Sequence, residues 1–192
     1  MIAKSHDSEL ASAWVRRWSH LIPPGETVLD VACGHGRHVR WFSERNHPVV
    51  GVDISQSALD AIADLVRSGQ AQAIVADIEN GPWPLMAGTS PRPFAAVVVT
   101  NYLWRPLLPT LLASLAPGGV LIYETFAAGN ETVGKPSRAD FLLQAGELLD
   151  VCKGLRVVAF EEGFLGDPDR FVQRIAAVRP LASPALPARH PL

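Results

Sequence analysis

Asp30 stands inside a short apolar run, Val28-Leu29-Asp30-Val31, which breaks at once into Ala32-Cys33-Gly34-His35-Gly36. Burying a carboxylate in such a run is costly unless it faces a cation or a hydrogen-bond donor. The two glycines that follow let backbone approach a ligand closely, because glycine has no Cβ to hold it off. Asp53 lies 19 residues beyond Gly34, the spacing at which an acidic side chain reaches a ribose diol. A carboxylate accepts both hydroxyl protons and so fixes orientation as well as affinity. These residue types ask for a small ligand with a diol in one part and positive charge in another.

Other polar residues follow apolar runs in the same way. Asp77-Ile78, Asn101-Tyr102 and Glu124 each close or follow such a run. Glu124 is a candidate general base, with hydrogen bonding to loop backbone as its plain alternative. Tyr102 is a third catalytic candidate beside Glu124 and Arg37. Arg37 and His38 fall in the first turn of the next helix, where the macrodipole disfavours cations. Either Arg37 pairs with Asp30 or Glu44, or it faces an anionic substrate group. Cys33 reads as a small buried residue rather than a nucleophile. His35 and His38 have no further Cys/His pair at ligand spacing, so no metal site is expected.

The elements that must position these residues alternate. Strand-like runs occupy 28–31, 49–52, 73–75, 94–99 and 120–123, with helical stretches at 37–45, 57–68 and 106–115 between them. Near-continuous apolar strands interleaved with helices indicate a parallel sheet covered on both faces. After a helix near 146–153, two strands at 156–161 and 172–178 follow without a helix between them, which implies an antiparallel hairpin at one edge. The expected fold is α/β: a Rossmann-like, seven-stranded, mostly parallel sheet with an antiparallel C-terminal hairpin. Ligands of such sheets bind beyond the carboxyl ends of the strands, where the polar residues named above fall. Leu10, Trp14, Trp18 and Leu21 recur at helical spacing behind Ser8, a candidate N-cap, and Pro23-Pro24-Gly25 stops that helix. We expect one domain over 1–179, with an N-terminal helical segment over 1–25, and a proline-rich, disordered tail over 180–192. The glycine-containing segment 126–141 is expected to lie over the site as a substrate lid, with the N-terminal helix as the alternative.

Bulk composition narrows the field. A length of 192 residues with 48% hydrophobic content suits one domain with a full core. The formal charge of −2 offers no global attraction to nucleic acid or an anionic membrane, so neither is expected as a partner. Two cysteines are too few for a disulfide framework, and the first residues lack an apolar signal core, which together suit the cytoplasm. Pro109 and Pro117-Gly118-Gly119 interrupt the longest apolar stretch and argue against a membrane span.

A dinucleotide turn wants a third glycine where this chain has Val39, and Asp30 would repel a phosphate. The phosphate-loop pattern and a Tyr-x-x-x-Lys pair are both missing. A ligand with adenosine at one end and a cation at the other remains, and S-adenosylmethionine fits that description.

The residues 28–36, Val52-Asp53-Ile54-Ser55, Ala76-Asp77-Ile78 and Leu115-Ala116-Pro117-Gly118-Gly119-Val120-Leu121 resemble, in order, those of class I S-adenosylmethionine-dependent methyltransferases. The turn Gly34-x-Gly36-Arg37 is most similar to the small tellurite-resistance and thiopurine methyltransferase-like branch. The resemblance covers roughly residues 8–179 and implies roles. Asp30 and the backbone of Ala32, Cys33, Gly34 and Gly36 would hold the methionine end. Asp53 would take the ribose hydroxyls, and Ile54 would lie against the adenine. Asp77 would accept the adenine amino group, the Ile78 N–H would meet a ring nitrogen, and the Asn101 carbonyl would face the cofactor ammonium. Ala95 replaces an acidic residue often found early in the fourth strand. Asn101-Tyr102-Leu103-Trp104 replaces the Asn-Pro-Pro-aromatic motif of many amino-group methylases. The implied function is methyl transfer to a small molecule: a thiol, a metalloid oxyanion or a small metabolite. A carboxyl or hydroxyl methylase of a metabolite, and a non-catalytic cofactor-binding regulator, stand as alternatives.

Overall fold

The computed structural model describes residues 10–181 and 189–192. Ser8 and most of the proline-rich tail, 182–188, lie outside them. Among the described residues, seven strands form one sheet: β1 (Val28–Val31), β2 (Val49–Asp53), β3 (Ala71–Val75), β4 (Phe94–Thr100), β5 (Leu115–Phe126), β6 (Arg156–Leu165) and β7 (Arg170–Val178). Their order is β3-β2-β1-β4-β5-β7-β6. The first five are parallel, and β7 runs antiparallel to both β5 and β6. The C-terminal hairpin therefore inserts its second strand next to β5 and leaves β6 at the edge. Strand order reverses between β1 and β4, and the site is expected at that switch.

Side chains alternate across the sheet with period two. Leu29, Val31, Val97, Val99, Leu121 and Tyr123 face one apolar cluster, against α5 (Leu108–Ala113) and α6 (Glu147–Val151). Val28, Ala96, Val98, Val120 and Ile122 face the other, against α1 (Ala13–Trp18), α2 (Arg37–Ser43), α3 (Gln56–Leu59) and α4 (Ala63–Arg67). Asp30 shares its parity with Val28 and so points towards α2. Among the described residues, no helix is long and apolar enough to cross a membrane.

Several boundaries differ from the sequence expectation for physical reasons. The N-terminal helix begins only at Ala13, because the Ser12 side chain caps it by accepting the Trp14 N–H at 3.1 Å; Leu10 is left exposed. The 57–68 stretch splits into α3 and α4 around a tight turn at Asp60–Ile62. Pro109 lies in the first turn of α5, where proline is tolerated, and residues 105–107 form a separate tight turn. β5 begins before its glycines because Gly118 N–H donates to Arg179 O and Arg179 N–H donates back to Gly119 O. The 80–93 loop carries a two-residue hairpin, Met86–Ala87 with Ser90–Pro91.

Just past β1, Ala32 is held at φ 51°, the left-handed region that disfavours a Cβ. Ala32→Gly removes that strain at the loss of one half-buried methyl group. It is expected to stabilise the fold by about 1 kcal/mol and raise Tm by roughly 2–4 °C. A thermal melt showing no gain would mean that position 32 bears no such strain.

Candidate active site

The structure brings the carboxyl ends of β1, β2 and β4 together. Asp53, at the end of β2, accepts the Gly34 N–H through Oδ2 at 2.7 Å and the Ser55 N–H through Oδ1 at 2.9 Å. Cys33 N–H donates to Val52 O, a second tie between the same two loops. Asp53 thus clamps the glycine turn, a duty the sequence reading did not assign, and each oxygen keeps a lone pair for a diol. Gly36 is held at φ 73°, and a Cβ there would lie 2.3 Å from Ile62 Cγ2, so helix packing requires this glycine. A Cβ on Gly34 would meet open space; its φ of 54° is what favours glycine. The Cys33 Sγ packs beside Gly51, and burial pushes its thiol far above the usual range, so it is no nucleophile.

Asp30 is 1% exposed, and among the described residues its Oδ2 has no hydrogen-bond partner. Burial pushes its carboxyl up to about 8, against the opposing pull of Arg37; Asp53 adds to the rise. His38 Nδ1 approaches Asp30 Oδ2 at 3.8 Å, but this is no ion pair. Burial, helped by Arg37, lowers the imidazole to about 3, so both groups are neutral near pH 7. His38 Nε2 accepts the Ser12 N–H at 3.1 Å, which places the imidazole proton on Nδ1, facing Asp30. An orphaned buried carboxylate oxygen beside a glycine turn is what a cofactor ammonium would complete. Beyond β2, Ile54 exposes 67% of its surface, a free apolar plate for a ring. Asp77 caps the next turn, with Oδ1 accepting from Glu79 and Asn80 N–H and Oδ2 from Asn80 Nδ2, which leaves room for one further donor on Oδ2. These bonds, led by those from Asn80, hold its carboxyl below the usual range. Ile78 is partly buried. Asn101 turns the chain past β4 at φ 55°, a conformation asparagine tolerates. These donors and acceptors fit S-adenosylmethionine.

A cavity of about 460 Å³ opens next to Arg37 and Asn101, between the N-terminal segment 10–13, β5 and the β6–β7 turn. Glu124 lies in its wall, engaged from both sides: Oε1 accepts the Ser12 hydroxyl at 2.9 Å and Oε2 faces Arg174 Nη1 at 3.3 Å. Arg174 is also fixed by Glu161, at 2.8 Å from Nε, and lies over the Trp14 ring. Among the described residues Arg37 has no carboxylate within 4.0 Å; the pairing with Asp30 or Glu44 does not form. Its nearest partners are Leu10 O and Thr100 Oγ1, both at 3.5 Å. Tyr102 borders a smaller cavity of about 280 Å³ with Glu79 and Phe141. Burial, aided by Glu79, raises its phenol well above the usual range, so it stays protonated and offers no phenolate base. His35 is exposed in the glycine turn. Trp14 and Trp18 are buried core residues.

Residues from both alternative lid segments line the first cavity, Leu10 to Ala13 from one side and Phe126 with Lys135 from the other. The 126–141 segment is anchored at its middle. Asn130 Nδ2 donates to Pro136 O, and Asn130 Oδ1 accepts the Phe171 N–H. Ser12, His38, Lys135, Arg170 and Arg174 were missed as site residues. One signal was available for Arg174: a charge inside the apolar run Val172 to Val178, the argument that singled out Asp30.

Residues 28–119 match the family described as a methyltransferase domain. A malonyl-[acyl-carrier protein] O-methyltransferase of Serratia marcescens is 35% identical over 56% of this chain and 41% of its own length. A tRNA U34 carboxymethyltransferase of Klebsiella pneumoniae subsp. pneumoniae is 31% identical over 62% of this chain and 37% of its own. The chain therefore spans about two fifths of the length of these curated relatives. The crystal structure of TehB from Haemophilus influenzae superposes with a TM-score of 0.71 at 18% identity, over 88% of this chain and 62% of that one. With the strand order, the glycine turn and the matched segment in agreement, residues 28–119 are similar to a methyltransferase domain, and the chain shares its fold with the TehB structure.

Proposed function

We propose that the protein transfers the methyl group of S-adenosylmethionine to a small acceptor bound in the 460 Å³ cavity. The observation that carries this reading is the contact between two sites. Arg37 and Asn101 line the cavity, and they also flank the turn whose orphaned Asp30 oxygen suits the cofactor ammonium. Asp30 and the 32–36 backbone hold the methionine end, and Asp53 holds the ribose. Ile54, Asp77 and Ile78 hold the adenine, and the Asn101 carbonyl meets the ammonium. The sulfonium supplies an activated methyl group, so the chain's own task is in-line positioning and exclusion of water. Closure of the cavity by residues 10–13 and 126–135 serves that task. The relatives named for a carrier-protein acceptor and for tRNA make a macromolecular acceptor the competing reading. Basic side chains gathered inside one cavity, on a chain of formal charge −2, favour a small one.

S-adenosylhomocysteine is expected to raise Tm by several degrees at saturating concentration, and NADH to leave it unchanged. A shift with NADH and none with S-adenosylhomocysteine would overturn the cofactor assignment. Release of S-adenosylhomocysteine from S-adenosylmethionine in a small-metabolite extract separates an enzyme from a cofactor-binding regulator.

A further inference from the structure

The acceptor cavity carries an excess of positive charge that the cofactor does not explain. Arg16, Arg37, Lys135, Arg170 and Arg174 line it, against Glu124 and Asp169 alone. Arg174 is committed to Glu124 and Glu161. Among the described residues, none of the other four has a carboxylate within 4.0 Å, although the chain as a whole is slightly acidic. Gathering unpaired cations around one concavity is unfavourable unless an anion completes it. The cofactor is a poor candidate for that anion. Its sulfonium and ammonium outweigh its one carboxylate, so bound cofactor adds positive charge.

Among the described residues, the cavity offers no free proton acceptor apart from the exposed Asp169. Both Glu124 oxygens are engaged, one by the Ser12 hydroxyl and one by Arg174. His38 is buried, with Nε2 occupied by the Ser12 N–H and Nδ1 turned to Asp30. Asp169 is exposed to solvent. A nucleophile here must arrive already ionised.

We infer that the acceptor is a small polyanion with at least two ionised oxygen groups: one is methylated at the Arg37 end of the cavity, and the other is anchored by Lys135 and Arg170. This rests on the methyltransferase reading above. A lone pair of the ionised oxygen forms the O–CH₃ bond as the S–CH₃ bond breaks, and the sulfur keeps that bond's electron pair. One negative and one positive charge disappear together, and no proton moves. Dicarboxylates and phosphate monoesters share this chemistry.

The test is calorimetric titration of the protein saturated with S-adenosylhomocysteine, at constant ionic strength, with acetate, malonate, succinate and glycerol 3-phosphate. At least one dianion is expected to bind tenfold or more tightly than acetate, and the binding arm names the source as carboxylate or phosphate. The double variant Lys135→Gln/Arg170→Gln is expected to erase that preference while S-adenosylhomocysteine affinity stays within twofold. Arg37→Met is expected to weaken the dianion at least tenfold at saturating S-adenosylhomocysteine, whose own affinity also falls because Arg37 no longer opposes the rise of the Asp30 carboxyl. Dianions no tighter than acetate, or a preference that survives the double variant, overturn the inference. Dianion binding kept in Arg37→Met removes Arg37 from the acceptor site and overturns its role. Failure of the wild-type protein to bind S-adenosylhomocysteine at all is a different result, and it overturns the methyltransferase reading instead.

Discussion

S-adenosylhomocysteine is expected to bind about tenfold more tightly for each pH unit gained between pH 6 and 7, and to level off near pH 8. Asp30→Asn is expected to bind at the weak end and show no such slope. The reason is the buried carboxyl of Asp30, raised to about 8 by desolvation more than Arg37 opposes it, with Asp53 adding to the rise. Near neutral pH the cofactor-free protein therefore keeps Asp30 mostly protonated. A cofactor ammonium beside it favours the ionised form, so binding expels one proton, and the logarithm of the affinity follows pH with unit slope below the free-state value. At pH 6 roughly one carboxyl in a hundred is ionised, which corresponds to a plateau affinity about two decades tighter. His38, whose Nδ1 lies 3.8 Å from Asp30, is lowered to about 3 and stays neutral across this range. The same shift has a consequence for stability. Between about pH 4 and 8 the folded chain holds a proton on Asp30 that the unfolded chain has released, so in this window the cofactor-free protein loses stability as pH rises. Asp30→Asn removes this contribution. A flat wild-type affinity profile, together with unimpaired binding by Asp30→Asn, would take Asp30 out of the cofactor site.

The sheet was legible because its strands are short apolar runs with little else to become. β1 was read with the bounds it has, and Asp30 stood out because its charge interrupts that run. Asp53 and Asn101 followed from where strands end. What stayed hidden depends on contacts distant in sequence. Ser12 bonds His38 across 26 residues and Glu124 across 112, and nothing local marks a serine before a helix as more than a cap. Arg170 and Arg174 reach the cavity only because β7 inserts beside β5, an order that two consecutive strand patterns do not specify. Lys135 depends on the path of a loop held by Asn130. The expected start of the first helix failed for the opposite reason. The apolar spacing of Leu10 with Trp14 looked like one face, but the Ser12 cap starts the helix later and leaves Leu10 at the cavity mouth.

Asp53→Ala is expected to weaken S-adenosylhomocysteine binding by about two decades, roughly 2–3 kcal/mol, because two ligand hydroxyls lose a charged acceptor. The structure adds a complication that the sequence did not show. The same carboxylate accepts the Gly34 and Ser55 N–H groups, so its loss also loosens the glycine turn that carries the methionine end. Both N–H groups belong to partly exposed residues, and water can replace the lost acceptor. The expected stability loss is therefore about 1–2 kcal/mol, a few degrees in Tm, with the fold kept. Affinity alone does not separate a missing ribose contact from a slack turn. The ligand supplies the second dimension. Comparing 5′-methylthioadenosine with its 2′,3′-dideoxy form measures the hydroxyls directly, and repeating the comparison in Asp53→Ala completes a double-mutant cycle. If Asp53 holds the ribose, the wild type prefers the hydroxylated ligand tenfold or more, and the variant loses most of that preference. If Asp53 only braces the turn, both ligands weaken equally and the preference persists, and the ribose role falls.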